Sequence, residues 1–146
     1  MKEVKRSALV PYTAEQIFAL VEDIESYPQF LPWVSGAKLL ERGPREVVGQ
    51  LEMHRAGMRE TVTTRNTLTP PREITLAFVA GPFKTLEGRW SFEPIGGDRG
   101  TRIDLAIRFE FANPMLNLLL SHSFEKSCNE LVDAFVVRAR AVYGKR

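Results

Sequence analysis

The chain has 146 residues, of which 44% are hydrophobic and 26% charged, with a formal net charge of +2. This suits one domain over residues 1–146 burying about two-thirds of its unfolded surface, and it excludes a disordered or membrane-spanning chain. The lone cysteine, Cys128, excludes an internal disulfide framework, and so small a net charge gives no argument for DNA.

The first ten residues are basic but lack the apolar core of a signal peptide, so a reducing, cytoplasmic location is expected. Residues 3–10 read as a strand. Thr13 opens a helix, and Gln16 three positions on completes a capping-box pattern. Ile17, Phe18, Leu20 and Val21 give this helix an apolar side. Glu22-Asp23-Ile24-Glu25-Ser26 then leads through a second short turn into Tyr27-Pro28-Gln29-Phe30-Leu31-Pro32-Trp33. Proline removes a backbone donor and restricts the residue before it, so neither a helix nor a central strand is expected to pass through this run. Connections are usually polar. A stiff connection rich in rings either plugs one end of a core or forms one wall or lid of an apolar pocket.

From about residue 34 the pattern changes to strands, punctuated by turns at Gly43-Pro44, Gly57, Pro70-Pro71, Gly81-Pro82 and Gly96-Gly97-Asp98. The spacing predicts an antiparallel meander. Over 102–111, Ile103, Leu105, Ile107, Phe109 and Phe111 alternate with Arg102, Asp104, Arg108 and Glu110, which predicts one buried and one wet face. Ile74, Leu76 and Phe78 repeat the alternation, as do Leu86, Trp90 and Phe92, and Leu51 and Met53. Residues 59–68 are different. Arg59, Thr61, Thr63, Arg65 and Thr67 share one face and Glu60, Val62, Thr64 and Asn66 the other, and neither face is strongly apolar. This strand is either an edge or a carrier of polar groups to a pocket.

A long helix closes the chain. Asn113 is a good N-cap, Pro114 suits the first helical position, and no Gly or Pro follows until Gly144. Leu116, Leu120, Phe124, Cys128, Leu131, Phe135, Ala139 and Val142 form one apolar stripe. An α+β architecture follows: a curved antiparallel sheet of about seven strands wraps around the long helix, and two short helices after the first strand close one end. Large side chains must fill the gap between sheet and helix, or else line it. Phe78, Trp90, Phe92, Phe109, Phe111, Phe124 and Phe135 are the candidates.

Catalytic groupings are scarce, and no catalysis is expected. His54 and His122 have no cysteine or carboxylate at metal-ligand spacing. Ser121-His122-Ser123 sits on a helix, where adjacent side chains do not face each other. Cys128 reads as a small core residue, and Gly96-Gly97-Asp98-Arg99-Gly100 reads as a hairpin turn.

Several segments together carry a family resemblance. They are Leu9-Val10-Pro11-Tyr12, the Ser26–Trp33 run, Thr63-Thr64-Arg65-Asn66, Gly81-Pro82-Phe83-Lys84, Trp90-Ser91-Phe92, Phe109-Glu110-Phe111 and Ala134-Phe135-Val136-Val137-Arg138-Ala139. The chain resembles the bacterial coenzyme Q-binding START family, also known as the ribosome association toxin A family. That family has the helix-grip fold of StAR-related lipid-transfer domains and polyketide cyclases. The resemblance implies non-catalytic binding of ubiquinone or another hydrophobic, prenylated ligand, in support of respiration, at a transient membrane surface such as the inner membrane. Each isoprene unit exposed to water costs roughly 3–4 kcal/mol at ~0.8 kcal/mol per carbon, so such a tail needs an apolar sheath. The expected cavity residues are Tyr27, Phe30, Leu31, Trp33, Arg65, Phe78, Phe83, Trp90, Phe92, Phe109, Phe111, Phe124, Leu131 and Phe135. Thr63, Arg65 or Asn66 would meet the ring carbonyls, and Tyr27, Phe30, Leu31, Trp33 and Phe83 would form a mouth touching the membrane.

The same resemblance implies a second role, binding the large ribosomal subunit and blocking subunit joining. Lys2, Lys5, Arg6, Arg138, Arg140, Lys145 and Arg146 are the basic residues expected to serve it. A third role, aromatic cyclisation, rests only on the wider fold, and the apolar set shows no acid–base pair for it.

Overall fold

The computed structural model describes residues 1–55, 57–97 and 99–144, with the backbone alone at Met58. Asp98 of the last expected turn, and Lys145 and Arg146 of the basic set, lie outside the described residues. In chain order the elements are β1 (Lys2–Val10), α1 (Ala14–Glu22), a 3-10 helix (Ile24–Gln29), β2 (Val34–Arg42), β3 (Glu46–Arg55), β4 (Met58–Thr69), β5 (Glu73–Ala80), β6 (Phe83–Ile95), β7 (Gly100–Phe111) and α2 (Pro114–Tyr143).

The strands form one antiparallel sheet in the order β1-β7-β6-β5-β4-β3-β2. The meander runs from β2 to β7, and β1 adds itself beyond β7, from Lys2 opposite Phe109 to Val10 opposite Thr101. The β2–β3, β4–β5 and β6–β7 turns therefore share one end of the sheet. The β3–β4 and β5–β6 turns share the other, where α2 begins. Strand β4 is central, between β3 and β5, so the edge reading of residues 59–68 falls and the carrier of polar groups remains.

Local signals account for the helices. In α1 the Gln16 N–H donates to Thr13 Oγ1 at 3.1 Å and the Thr13 N–H donates to Gln16 Oε1 at 2.9 Å, a reciprocal cap. The 3-10 helix takes in Tyr27 and Pro28, which the prolines were expected to forbid. At its two ends Ser26 N–H donates to Asp23 O, and Phe30 and Leu31 N–H both donate to Tyr27 O. No bond requires a donor at position 28. In α2 the Leu116 N–H donates to Asn113 Oδ1 at 2.9 Å, and Gly144 ends the helix at φ +88°.

The stripe of α2 faces the concave side of the sheet, with Leu120, Cys128, Phe135 and Ala139 buried. Its last member differs from expectation: Val142 is exposed and Tyr143 turns inward instead. Tyr143 follows Ala139 by four residues, close to the stripe, and its hydroxyl donates to Gln16 O at 2.9 Å. From β7, Ile103, Leu105, Ile107, Phe109 and Phe111 are all buried beneath α2, as their alternation predicted. Each such side chain contributes roughly 1.5–3 kcal/mol of burial. Ion pairs tie β1 to the back of α2, Lys2 to Glu125 at 3.0 Å and Arg6 to Asp133 at 3.3 Å. Among the described residues, no helix is long and apolar enough to cross a membrane.

Candidate functional site

Between α2 and the β3–β6 part of the sheet lies an apolar cavity of about 120 Å³. Two glycines shape its floor. A Cβ on Gly49 would stand 2.7 Å from Ile24 Cδ1, and one on Gly88 2.9 Å from Leu76 Cδ1. Bare backbone at these points lets Ile24 and Leu76 lie flat and leaves the space above them open. A smaller chamber of about 50 Å³ adjoins it, lined by Pro82, Phe83, Phe111, Leu120 and Ser123 among others. Trp33, Met53, Val62, Phe124 and Ser127 border both. An apolar cavity of about 150 Å³ takes up benzene, so the inner cavity is the size of a single ring. A prenyl tail has to continue through the outer chamber.

The structure brings half of the fourteen expected residues to the inner cavity: Tyr27, Leu31, Trp33, Trp90, Phe124, Leu131 and Phe135. Phe83 and Phe111 line the outer chamber, stacked at 4.5 Å. Phe92 and Phe109 fill the core instead, with Phe92 edge-on to Phe18 at 6.0 Å and Phe109 edge-on to Phe124 at 4.7 Å. Phe78 packs on Phe83, also outside the cavity. The gap is thus filled at some points and lined at others.

The mouth expected at Tyr27, Phe30, Leu31, Trp33 and Phe83 is turned inward. Leu31, Trp33 and Phe83 are buried. Tyr27 donates its hydroxyl hydrogen bond to Val21 O, and burial, with Asp23 nearby, pushes its phenol above the ordinary range. Phe30 is half-buried outside the cavity, edge-on to Phe135 at 5.1 Å with the Arg138 guanidinium 5.0 Å from its ring centre. A run this apolar is more stable as an inner wall than as an exposed lip.

Arg65 is the clearest correction. It stands on the outer face and donates to Glu46 Oε1 at 2.6 Å. Neighbours on a strand point to opposite faces, so Arg65 and Asn66 cannot both reach the cavity. Asn66 does reach it, with Thr64 on the same face. Thr63, on the outer side, accepts from Gln50 Nε2 at 3.2 Å. Asn66 is buried, and its Oδ1 accepts from the Thr64 hydroxyl at 2.8 Å. Its amide N–H groups have no protein partner among the described residues, which leaves two donors at an apolar wall. Cys128 also lines the cavity. Burial, with Glu125 adding to it, pushes its thiol up to about 12, so it stays protonated at neutral pH.

Sequence reasoning missed Arg55, Ser127 and Glu130. Arg55 Nη1 donates to Ser127 Oγ at 2.7 Å, Nη2 donates to Glu130 Oε2 at 3.2 Å, and the guanidinium lies 5.3 Å from the Trp33 ring centre. This strap joins the end of β3 to the middle of α2 beside the outer chamber. The signal was present, because Arg55 continues the inward alternation of Leu51 and Met53.

The basic residues are redistributed too. Lys2 and Arg6 are paired with α2, Lys5 lies 3.6 Å from Glu3, and Arg138 donates to Gln29, whereas Arg140 is exposed with no side-chain partner among the described residues. Arg42, Arg45, Arg72 and Arg99 are exposed, and among the described residues their side chains make no hydrogen bond or ion pair. All four sit at the β2–β3, β4–β5 and β6–β7 turns.

Residues 10–136 match the family described as polyketide cyclase / dehydrase and lipid transport. Over 146 residues the chain is 42% identical to the ribosome association toxin RatA of Escherichia coli K12, covering all of this chain and 92% of that protein. It is 26% identical over 147 residues to the mitochondrial coenzyme Q-binding protein COQ10 homolog B of Xenopus laevis, covering 99% of this chain and 60% of that protein. A START superfamily protein from Mycobacterium smegmatis superposes with a TM-score of 0.77 at 25% identity, covering 96% of this chain and 98% of that one.

Proposed function

The chain belongs to the polyketide cyclase / dehydrase and lipid transport family, among the ribosome association toxins, and from that premise we propose that it binds ubiquinone or a related prenylated lipid under α2. The binding is non-catalytic and serves respiratory electron transport. One observation carries the reading: an apolar, ring-sized cavity whose wall presents the unpartnered amide donors of Asn66. A quinone carbonyl is an acceptor without a donor of its own and suits that position. The ring packs among Trp90, Phe124 and Phe135, and the tail leaves through the outer chamber. The coenzyme Q-binding relative supports the choice of ligand. The other polar side chains at the wall are hydroxyls and a protonated thiol, with the Glu87 carboxylate held by Arg108 at 3.3 Å, and such groups orient a ligand rather than transform it.

Mass spectrometry of an organic extract from natively purified protein tests this. Near-stoichiometric prenylquinone is expected in the wild type and little in Leu131→Trp, whose larger side chain occupies the cavity. A wild-type protein that comes out empty, and whose tryptophan fluorescence ignores added quinone, overturns the reading.

A second reading, binding to the large ribosomal subunit, is favoured by the relatives' name and by the four turn-end arginines, exposed and without a side-chain partner among the described residues. Neighbouring turns at that end of the sheet are two strand spacings apart, about 10 Å. Arg42, Arg45, Arg72 and Arg99 thus form a row on the order of 20 Å long, suited to phosphates. Replacing all four with Gln is expected to weaken co-sedimentation with large subunits and to flatten its salt dependence by about 0.9 per lost phosphate contact. An unchanged slope removes this surface. The row lies away from the cavity, so both roles fit one molecule.

A further inference from the structure

The first two turns of α2 expose Met115 (70%), Leu118 (84%) and Leu119 (53%). Scattered apolar residues on a surface are ordinary, but three large ones within five positions are not. From Asn113 to Phe124 the sequence has no Asp, Glu, Lys or Arg. The segment is also firmly placed. Ala112 N–H donates to Pro82 O at 2.8 Å, and Phe111 N–H donates to Asn117 Oδ1 at 3.0 Å. The exposure therefore belongs to a fixed tip of the molecule.

We infer that this tip docks on a lipid bilayer, at the place where the bound lipid enters and leaves; the inference rests on the quinone reading above. Position is the first argument. Met115, Leu119 and Ser123 follow one another at four-residue spacing, which makes one row along the helix. Ser123 lines the outer chamber with Leu120, so the row runs from exposed tip to chamber rim, and through Trp33, Val62 and Phe124 to the inner cavity. A prenyl chain crossing from bilayer to cavity along that line stays out of water. A patch serving a protein partner has no reason to sit at the rim of the lipid's path.

Charge is the second argument. His122 and Lys126 are exposed just beyond the tip, and Lys84 is exposed on the adjacent strand. The nearest acids are engaged, Glu125 by Lys2 at 3.0 Å and Glu110 by both the N-terminal ammonium at 3.8 Å and Lys84 at 3.7 Å, so cations outnumber acids there. On the strand side Glu60 is the one carboxylate among the described residues lining the chamber. An apolar tip with basic neighbours fits an anionic or neutral headgroup layer.

The test uses the full chain and phosphatidylcholine vesicles, with and without phosphatidylglycerol. Met115→Ser/Leu118→Ser/Leu119→Ser is expected to partition at least about tenfold more weakly than the wild type. Leu9→Ser, a similarly exposed leucine toward the opposite end of the sheet, is expected to bind as the wild type does. Leu119→Trp gives an independent readout, a blue shift in emission when vesicles are added. Affinity for a water-soluble short-chain quinone should be unchanged in the triple variant. Wild-type protein that ignores vesicles, or a triple variant that binds them normally, overturns the inference. So does protection of the tip by large ribosomal subunits in a protein that ignores vesicles. Failure of the quinone reading looks different: no form takes up quinone while vesicle binding still depends on the tip, and the docking surface stands.

Discussion

The two sides of the concave face differ in what they present to α2. Strands β6 and β7 supply Phe83, Trp90, Phe92, Phe109 and Phe111, whereas β3 and β4 supply Gly49, Leu51, Met53, Val62, Thr64 and Asn66, with no ring among them. On the first side rings reach the helix and interlock, with Phe83 to Phe124 at 5.0 Å and Phe109 to Phe124 at 4.7 Å. On the second side the shorter residues do not bridge the separation, and the cavity is the remainder. A close-packed interior has few such gaps. The lesson is that ring contacts on one side leave a space on the other, which β3 and β4 line together with Gly88, Trp90 and Ile107.

That comparison can be broken at both sides. Phe109→Ala removes a ring from the packed side and is expected to cost about 3–5 kcal/mol, lowering the melting midpoint on the order of 10 °C. Leu51→Ala on the lined side removes a group that already borders empty space, and about 2 kcal/mol or less is expected. Equal costs in thermal or denaturant melts would show that the two sides are packed alike. Next in size, Asn66→Leu is expected to weaken quinone affinity about tenfold, the worth of one buried hydrogen bond, and to lower stability by about 1 kcal/mol for the Thr64 hydroxyl left without its acceptor. Unchanged affinity would put the carbonyl elsewhere.

A third effect is pH-dependent. The Cys128 thiol titrates at about 12 in the fold against an ordinary 9.0. Between those values the unfolded chain has lost this proton and the folded one has kept it. Stability contributed by the neutral thiol is therefore fully present below about pH 9 and is lost as pH rises toward 12. The loss is about 1.4 kcal/mol per pH unit. Cys128→Ala should flatten the alkaline limb by that amount in denaturant titrations across pH 8–11, and a wild-type limb no steeper than the variant's would contradict the burial.

Most of the frame was legible. The Thr13 cap, the uninterrupted 114–143 helix and the alternation over 102–111 are local patterns, and local patterns survive folding. The site was half legible, because periodicity tells which face a ring is on but not whether another ring meets it there. Phe92 and Phe109 read like Trp90, yet they fill where Trp90 lines. Strand parity puts Arg65 and Asn66 on opposite faces, but on a strand with no strongly apolar face it does not tell which of them meets the cavity. The turn-end arginines were missed for a related reason. A cation's freedom depends on partners distant in sequence, as Lys2 with Glu125 shows.

Among the described residues, Arg55 spans the comparison, fastening the ring-poor strand β3 to α2 through Ser127 and Glu130. Its energy is small. The pair is partly exposed, with side-chain exposures of 27% and 40%, and such a pair with a ring contact contributes on the order of 1 kcal/mol. If the strap closes the outer chamber, that amount governs opening rather than folding, and ~1 kcal/mol corresponds to about fivefold. Arg55→Ala is thus expected to lower stability by about 1 kcal/mol and to speed quinone dissociation about fivefold in stopped-flow displacement. Glu130→Gln keeps the Ser127 bond and is expected to do less. The same stability loss with an unchanged dissociation rate would mean that lipid leaves on the far side of Trp33, past Tyr27 and Leu31. The wall built from the proline-stiffened run would then be the moving part, and the strap beside the outer chamber only a brace.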